Sequence, residues 1–220
     1  MKTTILTCLL AVGAASSIAS ADRIVRINGG PSQSGDGGEF RITPISGGSV
    51  GVTGMASDRN NSSFQTFCIE RNQLIILGRE YVATVDTAAD HGGVAGGTPD
   101  PISVETAYLY SAFRKGTLPS QMMQEGQARR DQARALQLAF WLLEEEITEQ
   151  FAEYANNSAA QSLVAFAEST TWDNIRGVRV LNLINMDGEQ VQSQLTLIPL
   201  PTTAGLAGLG LVAVGSRRRR

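Results

Sequence analysis

The stretch 100–112 reads Asp100-Pro101-Ile102-Ser103-Val104-Glu105-Thr106-Ala107-Tyr108-Leu109-Tyr110-Ser111-Ala112, and within it the apolar period of the chain changes. Asp100 suits an N-cap, and Pro101 suits the first helical position, where a missing N–H costs no hydrogen bond. Val104, Ala107, Tyr108 and Ala112 then recur at helical spacing, and Gly116 follows the last turn. A second, longer helix is expected over 127–149, with Ala133, Gln137, Phe140, Trp141 and Glu144 on its inner face. A third is expected over 159–167.

Before this switch the signals are those of strands. Ile24, Val25 and Ile27 predict a first strand, ended by Asn28-Gly29-Gly30. Phe40, Ile42 and Ile45 predict a second, and Val50-Gly51-Val52 a third. Residues 64–70 alternate, with Phe64, Thr66, Cys68 and Glu70 on one face and Phe67 and Ile69 on the other. Further strands are expected at 74–77 and 81–85, and a Gly-rich loop containing His91 spans 87–99. After the helices, strand character returns at 178–184 and 191–198 around an Asp187-Gly188 turn. The order strands, helices, strands predicts an α+β fold, an antiparallel sheet or sandwich with an inserted helical subdomain.

The composition narrows the function classes. Of 220 residues, 42% are hydrophobic and 18% charged, enough for a packed core. Lys2 and Arg217 to Arg220 hold five of the 18 basic residues, while no acid lies in 1–21 or 199–220. The stretch between therefore carries a net charge of −8. An acidic body without a basic stripe argues against nucleic-acid binding and against docking of the body on anionic lipid. One histidine and two cysteines cannot make a Cys/His zinc cluster, and no EF-hand spacing of acids is present. No cofactor or metal is called for.

Both ends read as addresses. Lys2, the apolar run 5–15 and Ala19-Ser20-Ala21 have the three parts of a secretory signal peptide over 1–21, with the mature chain starting at Asp22. Cys8 leaves with that segment, so Cys68 remains as a single unpaired cysteine. At the other end, 199–220 combines a proline motif, Ile198-Pro199-Leu200-Pro201, with a short Gly/Ala/Leu/Val segment and the Arg217 to Arg220 cluster. The apolar part falls short of the ~20 residues a full span wants. This order resembles the PEP-CTERM class of bacterial sorting signals, with Leu200 standing where the acid of Pro-Glu-Pro would be. The resemblance implies export through the secretion machinery, recognition by an exosortase-type processing protease and transfer to the cell surface or extracellular matrix. Membrane association would then be transient; a retained tail anchor is the alternative.

The chemistry-bearing residues of the body, 22–198, are in Phe67-Cys68-Ile69-Glu70 and Leu136-Gln137-Leu138-Ala139-Phe140-Trp141. A thiolate is a strong nucleophile and a primary amide a poor acyl donor, but a fold that holds them together supplies the missing effective molarity. The product is an internal thioester and free ammonia. These two segments resemble the paired motifs of bacterial surface thioester domains, in which a strand-borne cysteine follows an aromatic residue and a helix-borne glutamine sits in a Gln-x-Ala-apolar-Trp pattern. The resemblance spans roughly 64–198. The proline that often follows the family's cysteine is replaced by Ile69-Glu70-Arg71. It implies a Cys68–Gln137 bond, shielded by Phe140 and Trp141, that joins the chain covalently to an amine or hydroxyl of a partner surface. Such a protein modifies itself once and is not an enzyme. The alternative is a non-covalent structural or matrix protein with an inert cysteine.

Other side chains carry weaker readings. A Cys68–His91 hydrolase dyad is set against the position of His91 in an exposed loop. Glu70 is read as a solvated charge rather than a proton carrier, and Glu144-Glu145-Glu146 as a solvated helix face. Tyr108 and Tyr110 are read as packing residues rather than a carbohydrate platform.

Overall fold

The computed structural model describes residues 22–199 apart from 31, 34, 36 and 120–125. The expectations for the signal peptide, and for the tail beyond Pro199, fall outside those residues. In chain order the strands are β1 (Arg23–Gly29), β2 (Phe40–Ser46), β3 (Phe64–Thr66), β4 (Glu80–Asp86), β5 (Ala88–Ala89) and β6 (Asp100–Pro101). The helices α1 (Val104–Lys115), α2 (Gln127–Leu143), α3 (Ala152–Ala155) and α4 (Ser158–Glu168) follow, and β7 (Val178–Ile184) and β8 (Gln190–Leu197) complete the described part. The architecture is α+β: a six-stranded sheet in the order β3-β2-β1-β4-β7-β8, antiparallel throughout, a two-stranded β5-β6 ribbon, and helices inserted between them and β7.

The two edges of the large sheet do not stay apart. Past Thr66 the chain leaves β2 and crosses to β8, where Cys68 faces Gln194 in an antiparallel bridge. Leu195 N–H donates to Phe67 O at 3.0 Å, and Ile69 N–H donates to Ser193 O at 3.3 Å. Segment 67–69 thus closes the sheet on itself and satisfies edge groups that would otherwise be open to other chains. It also buries both faces of the segment: Phe67, Cys68, Ile69 and Glu70 are all at or below 3% exposure.

The helices are fastened to this closure. The Phe67 ring lies 5.1 Å from Phe113 of α1 and 5.2 Å from Phe140 of α2. Tyr110 of α1 donates its hydroxyl proton to Gln65 O at 3.0 Å. Arg114, fully buried, donates to Asp58, Ser57 Oγ, Tyr110 OH and Val52 O, which ties the 52–58 loop to α1. A buried guanidinium is tolerated here because its donors are aimed at acceptors.

Several local expectations are corrected. Asp100-Pro101 does not open a helix; it pairs with Ala88-Ala89. The N-cap is Ser103, whose Oγ accepts from Thr106 N–H, while Gly116 ends the helix at φ 68° as expected. Helix α2 stops at Leu143 instead of reaching 149. Glu145 turns to φ 59°, and the N–H groups of Glu146 and Ile147 both return to Trp141 O. Residues 50–52 form no strand, although Val52 N–H donates to Leu197 O at 2.7 Å. Residues 74–77 form none either: Ile27 gives its backbone bonds to Gly78 and Arg79, and Leu74 and Ile76 remain 85% and 59% exposed. Among the described residues no helix is long and apolar enough to cross a membrane.

Candidate functional site

Cys68 and Gln137, 69 residues apart in sequence, meet where the sheet closes beneath α2. The strand supplies the sulfur because segment 67–69 must pair with β8, which fixes the alternation of its side chains. Phe67 packs between Phe113 of α1 and Phe140 of α2, and Cys68 reaches Gln137 of α2. The helix supplies the amide because Gln137, Phe140 and Trp141 share its inner face; their exposures are 0%, 0% and 1%.

The carboxamide is held at both ends. Cys68 Sγ lies 3.3 Å from Gln137 Oε1, with the thiol as donor. Gly38 N–H donates to the same oxygen at 3.1 Å. Gln137 Nε2 donates to Cys68 O at 2.8 Å. The carbonyl oxygen therefore sits in a donor pocket, and the nitrogen is drawn toward the cysteine backbone. Attack of sulfur on the carbonyl carbon would place negative charge on Oε1, where the Gly38 N–H already points.

Two glycines make this approach possible. A Cβ on Gly37 would lie 2.6 Å from Gln137 Cγ and 2.9 Å from its carboxamide carbon. Gly38 adopts φ 107°, a backbone state that side chains disfavour. The loop carrying them is anchored by Glu39, buried and ion-paired to Arg129 of α2 through two bonds of 2.8 and 3.0 Å.

Burial pushes the Cys68 thiol well above its ordinary pKa, and the nearby Glu70 carboxyl adds to the rise. The Trp141 indole N–H opposes it. That N–H has no acceptor in good hydrogen-bonding geometry, yet lies close enough to the sulfur to favour the thiolate. The resting group is thus a thiol, and a neutral thioester in the same place would escape the desolvation cost that a thiolate meets.

Glu70 and the glutamate run correct the sequence reading. Glu70 is 3% exposed; Ser193 N–H reaches its Oε2 at 2.5 Å, and Ser193 Oγ stands 2.9 Å from Oε1. The same Ser193 Oγ stands 2.9 Å from Asn182 Oδ1, so one hydroxyl proton faces two acceptors. A protonated Glu70 resolves this arrangement, in keeping with a pKa raised by burial to about 7. Glu146 accepts from the N–H groups of Arg71 and Val94, and Glu144 accepts from Ser103 N–H and Oγ. Only Glu145 of the three is exposed. Glu144 lies inward, as its place on the inner face of the expected helix implies, while the inward turn of Glu146 follows from the early end of α2.

His91 lies exposed in its loop, and no hydrogen bond joins it to the buried Cys68. Tyr110 is fully buried, and Tyr108 packs on Phe166 and Trp172. Among the described residues no group of three or more His, Cys, Asp or Glu side chains could hold a metal ion. Sequence reasoning missed Gly37, Gly38 and the Glu39–Arg129 pair. The Gly-Gly-Glu run before a strand was a signal, but only its distance to Gln137 gives it meaning. No protein-family model matches the chain, and no curated protein or solved structure matches it either.

Proposed function

We propose that the body forms an internal thioester between Cys68 and Gln137 and uses it once, to attach covalently to an amine or hydroxyl on a partner surface. The observation that carries this reading is the grip on the Gln137 carboxamide: sulfur 3.3 Å from Oε1, Gly38 N–H on the same oxygen at 3.1 Å, and Nε2 bonded to Cys68 O at 2.8 Å. The step balances. A C–S bond forms, the C–N bond breaks, and the thiol proton leaves with ammonia. In attachment the partner nitrogen or oxygen takes the acyl group, and the proton returns to sulfur. Trp141 and Phe140 exclude water until a partner arrives. Export, display at the surface or in the matrix, and processing of the tail by an exosortase-type protease belong to the same proposal, supported by the sequence of the two ends.

A second reading is a non-covalent structural surface protein, favoured by one observation: burial holds Cys68 in its less reactive thiol form. Intact mass separates the two. The mature chain is expected to be one ammonia lighter than its sequence, and Cys68→Ala or Gln137→Ala should each abolish that deficit. A small primary amine should add its own mass and release a titratable thiol. A full-mass chain with a thiol free to alkylate on unfolding would leave the cysteine inert.

A further inference from the structure

We propose that the buried Glu39–Arg129 ion pair is a positioning device that holds the Gly38 N–H on the Gln137 carbonyl oxygen, setting the rate at which the thioester closes. The inference rests on the thioester reading and adds to it a pair of residues that touch neither reacting group.

The four residues form one rectangle. Gly38 and Glu39 are adjacent on the loop; Arg129 and Gln137 lie two turns apart on α2. Gly38 N–H spans loop to helix at 3.1 Å, and Glu39 spans it again through paired bonds of 2.8 and 3.0 Å from Arg129 Nε and Nη2. Gly37 and Gly38 have no side chains to pack, and glycine visits many backbone states. Glu39 is the first residue after them with a side chain. Its own backbone is fixed on the far side, since Gly30 N–H donates to Glu39 O at 2.7 Å and β2 begins at Phe40 in register with Gly29. The guanidinium fork fixes direction as well as distance, because two parallel bonds allow little rotation.

A buried ion pair is by itself weak evidence of a role in stability. Side-chain exposures are 6% for Arg129 and 0% for Glu39, so both charges are desolvated. Replacing such a pair with apolar residues of similar volume is commonly neutral or stabilising. Its distinguishing effect is where it places an N–H, and an oxyanion donor is sensitive to displacement.

The test uses the reversibility of the step. Ammonia, supplied by an ammonium salt at alkaline pH, opens the thioester: its lone pair forms the Gln137 C–N bond, the C–S bond breaks, and one N–H proton passes to Cys68 sulfur. Removing the ammonium salt, and with it free ammonia, lets the mature chain close again, and intact mass follows the loss of ammonia. The Glu39→Leu/Arg129→Met double variant should remain folded yet close about 10²-fold more slowly, the effect of losing one oxyanion donor. Arg129→Lys keeps the charge but loses the fork, and should also slow closure. In the closed protein, the carbon-13-edited infrared band of the thioester carbonyl should move to higher frequency in both variants as the Gly38 bond weakens. Wild-type closure rates with an unshifted band in a folded variant would overturn the positioning role alone. A wild-type chain that never loses ammonia would overturn the thioester reading, and this role with it.

Discussion

Replacing Gly37 by alanine puts a methyl group where the structure has no room. The added Cβ would lie 2.6 Å from Gln137 Cγ, 2.9 Å from its carboxamide carbon and 3.0 Å from Oε1. Comfortable carbon–carbon contact is about 3.5–4.0 Å, so something must recede by about 1 Å. Gln137 cannot recede freely: it is fully buried and bonded to Gly38 N–H on one side and Cys68 O on the other. Overpacking of this kind costs about 1–3 kcal/mol. For a body of this size that lowers the thermal midpoint by roughly 2–12 °C. A displacement of about 1 Å at a reacting group slows its reaction by about 10²-fold. The assays are a thermal melt and, for the proposed thioester, intact mass against time after opening with ammonia. Both numbers should fall. An alanine variant that melts with wild type and closes at the wild-type rate would refute the claim that Gly37 sets how near the loop comes to Gln137.

Three other outcomes follow from the packing. Trp141→Ala should cost about 3–5 kcal/mol in urea unfolding and speed hydrolysis of the proposed thioester, since it opens the cover over the sulfur; a bond that outlives the wild-type one in buffer would show the shield lies elsewhere. Asp58→Asn leaves Arg114 with a buried, uncompensated charge and should cost about 3–5 kcal/mol, toward the lower end because three neutral acceptors remain; a loss below about 1 kcal/mol would contradict the burial argument. Burial raises Glu70 and Glu144 to about 7 each, so the folded chain holds more protons than the unfolded one from about pH 4.5 to 7. Their contribution is therefore fully present below that window and is lost as pH rises through it. Glu70→Gln with Glu144→Gln should flatten the fall in thermal midpoint between pH 5 and 8, and an unchanged slope would sink the assignment.

The clearest sequence signals are those whose cause is local. The periods of β1, β2, β4, β7 and β8 match half-buried or buried strands, and the spacing of α1, α2 and α4 matches helices with one apolar face. Cys68 and Gln137 were legible as candidates because each stands in a short pattern of its own. Where local signals failed, a distant partner had overruled them. Asp100-Pro101 has the chemistry of a helix start but lies beside Ala88-Ala89, and 74–77 has the apolar run of a strand but no free strand edge to join.

By itself, then, the sequence determined the type of the main strands and helices and their order, and it marked Cys68 and Gln137 as candidates, because these signals depend on neighbours within a few positions. The tertiary structure decided the closure of the sheet through 67–69, the inward turn of Glu70 and Glu146, and the meeting of Gly38 with Gln137 across 99 residues of chain. The reason is physical. A hydrogen bond or ion pair between remote residues leaves no period in the sequence, and its geometry exists only once the sheet has closed and α2 has packed against it.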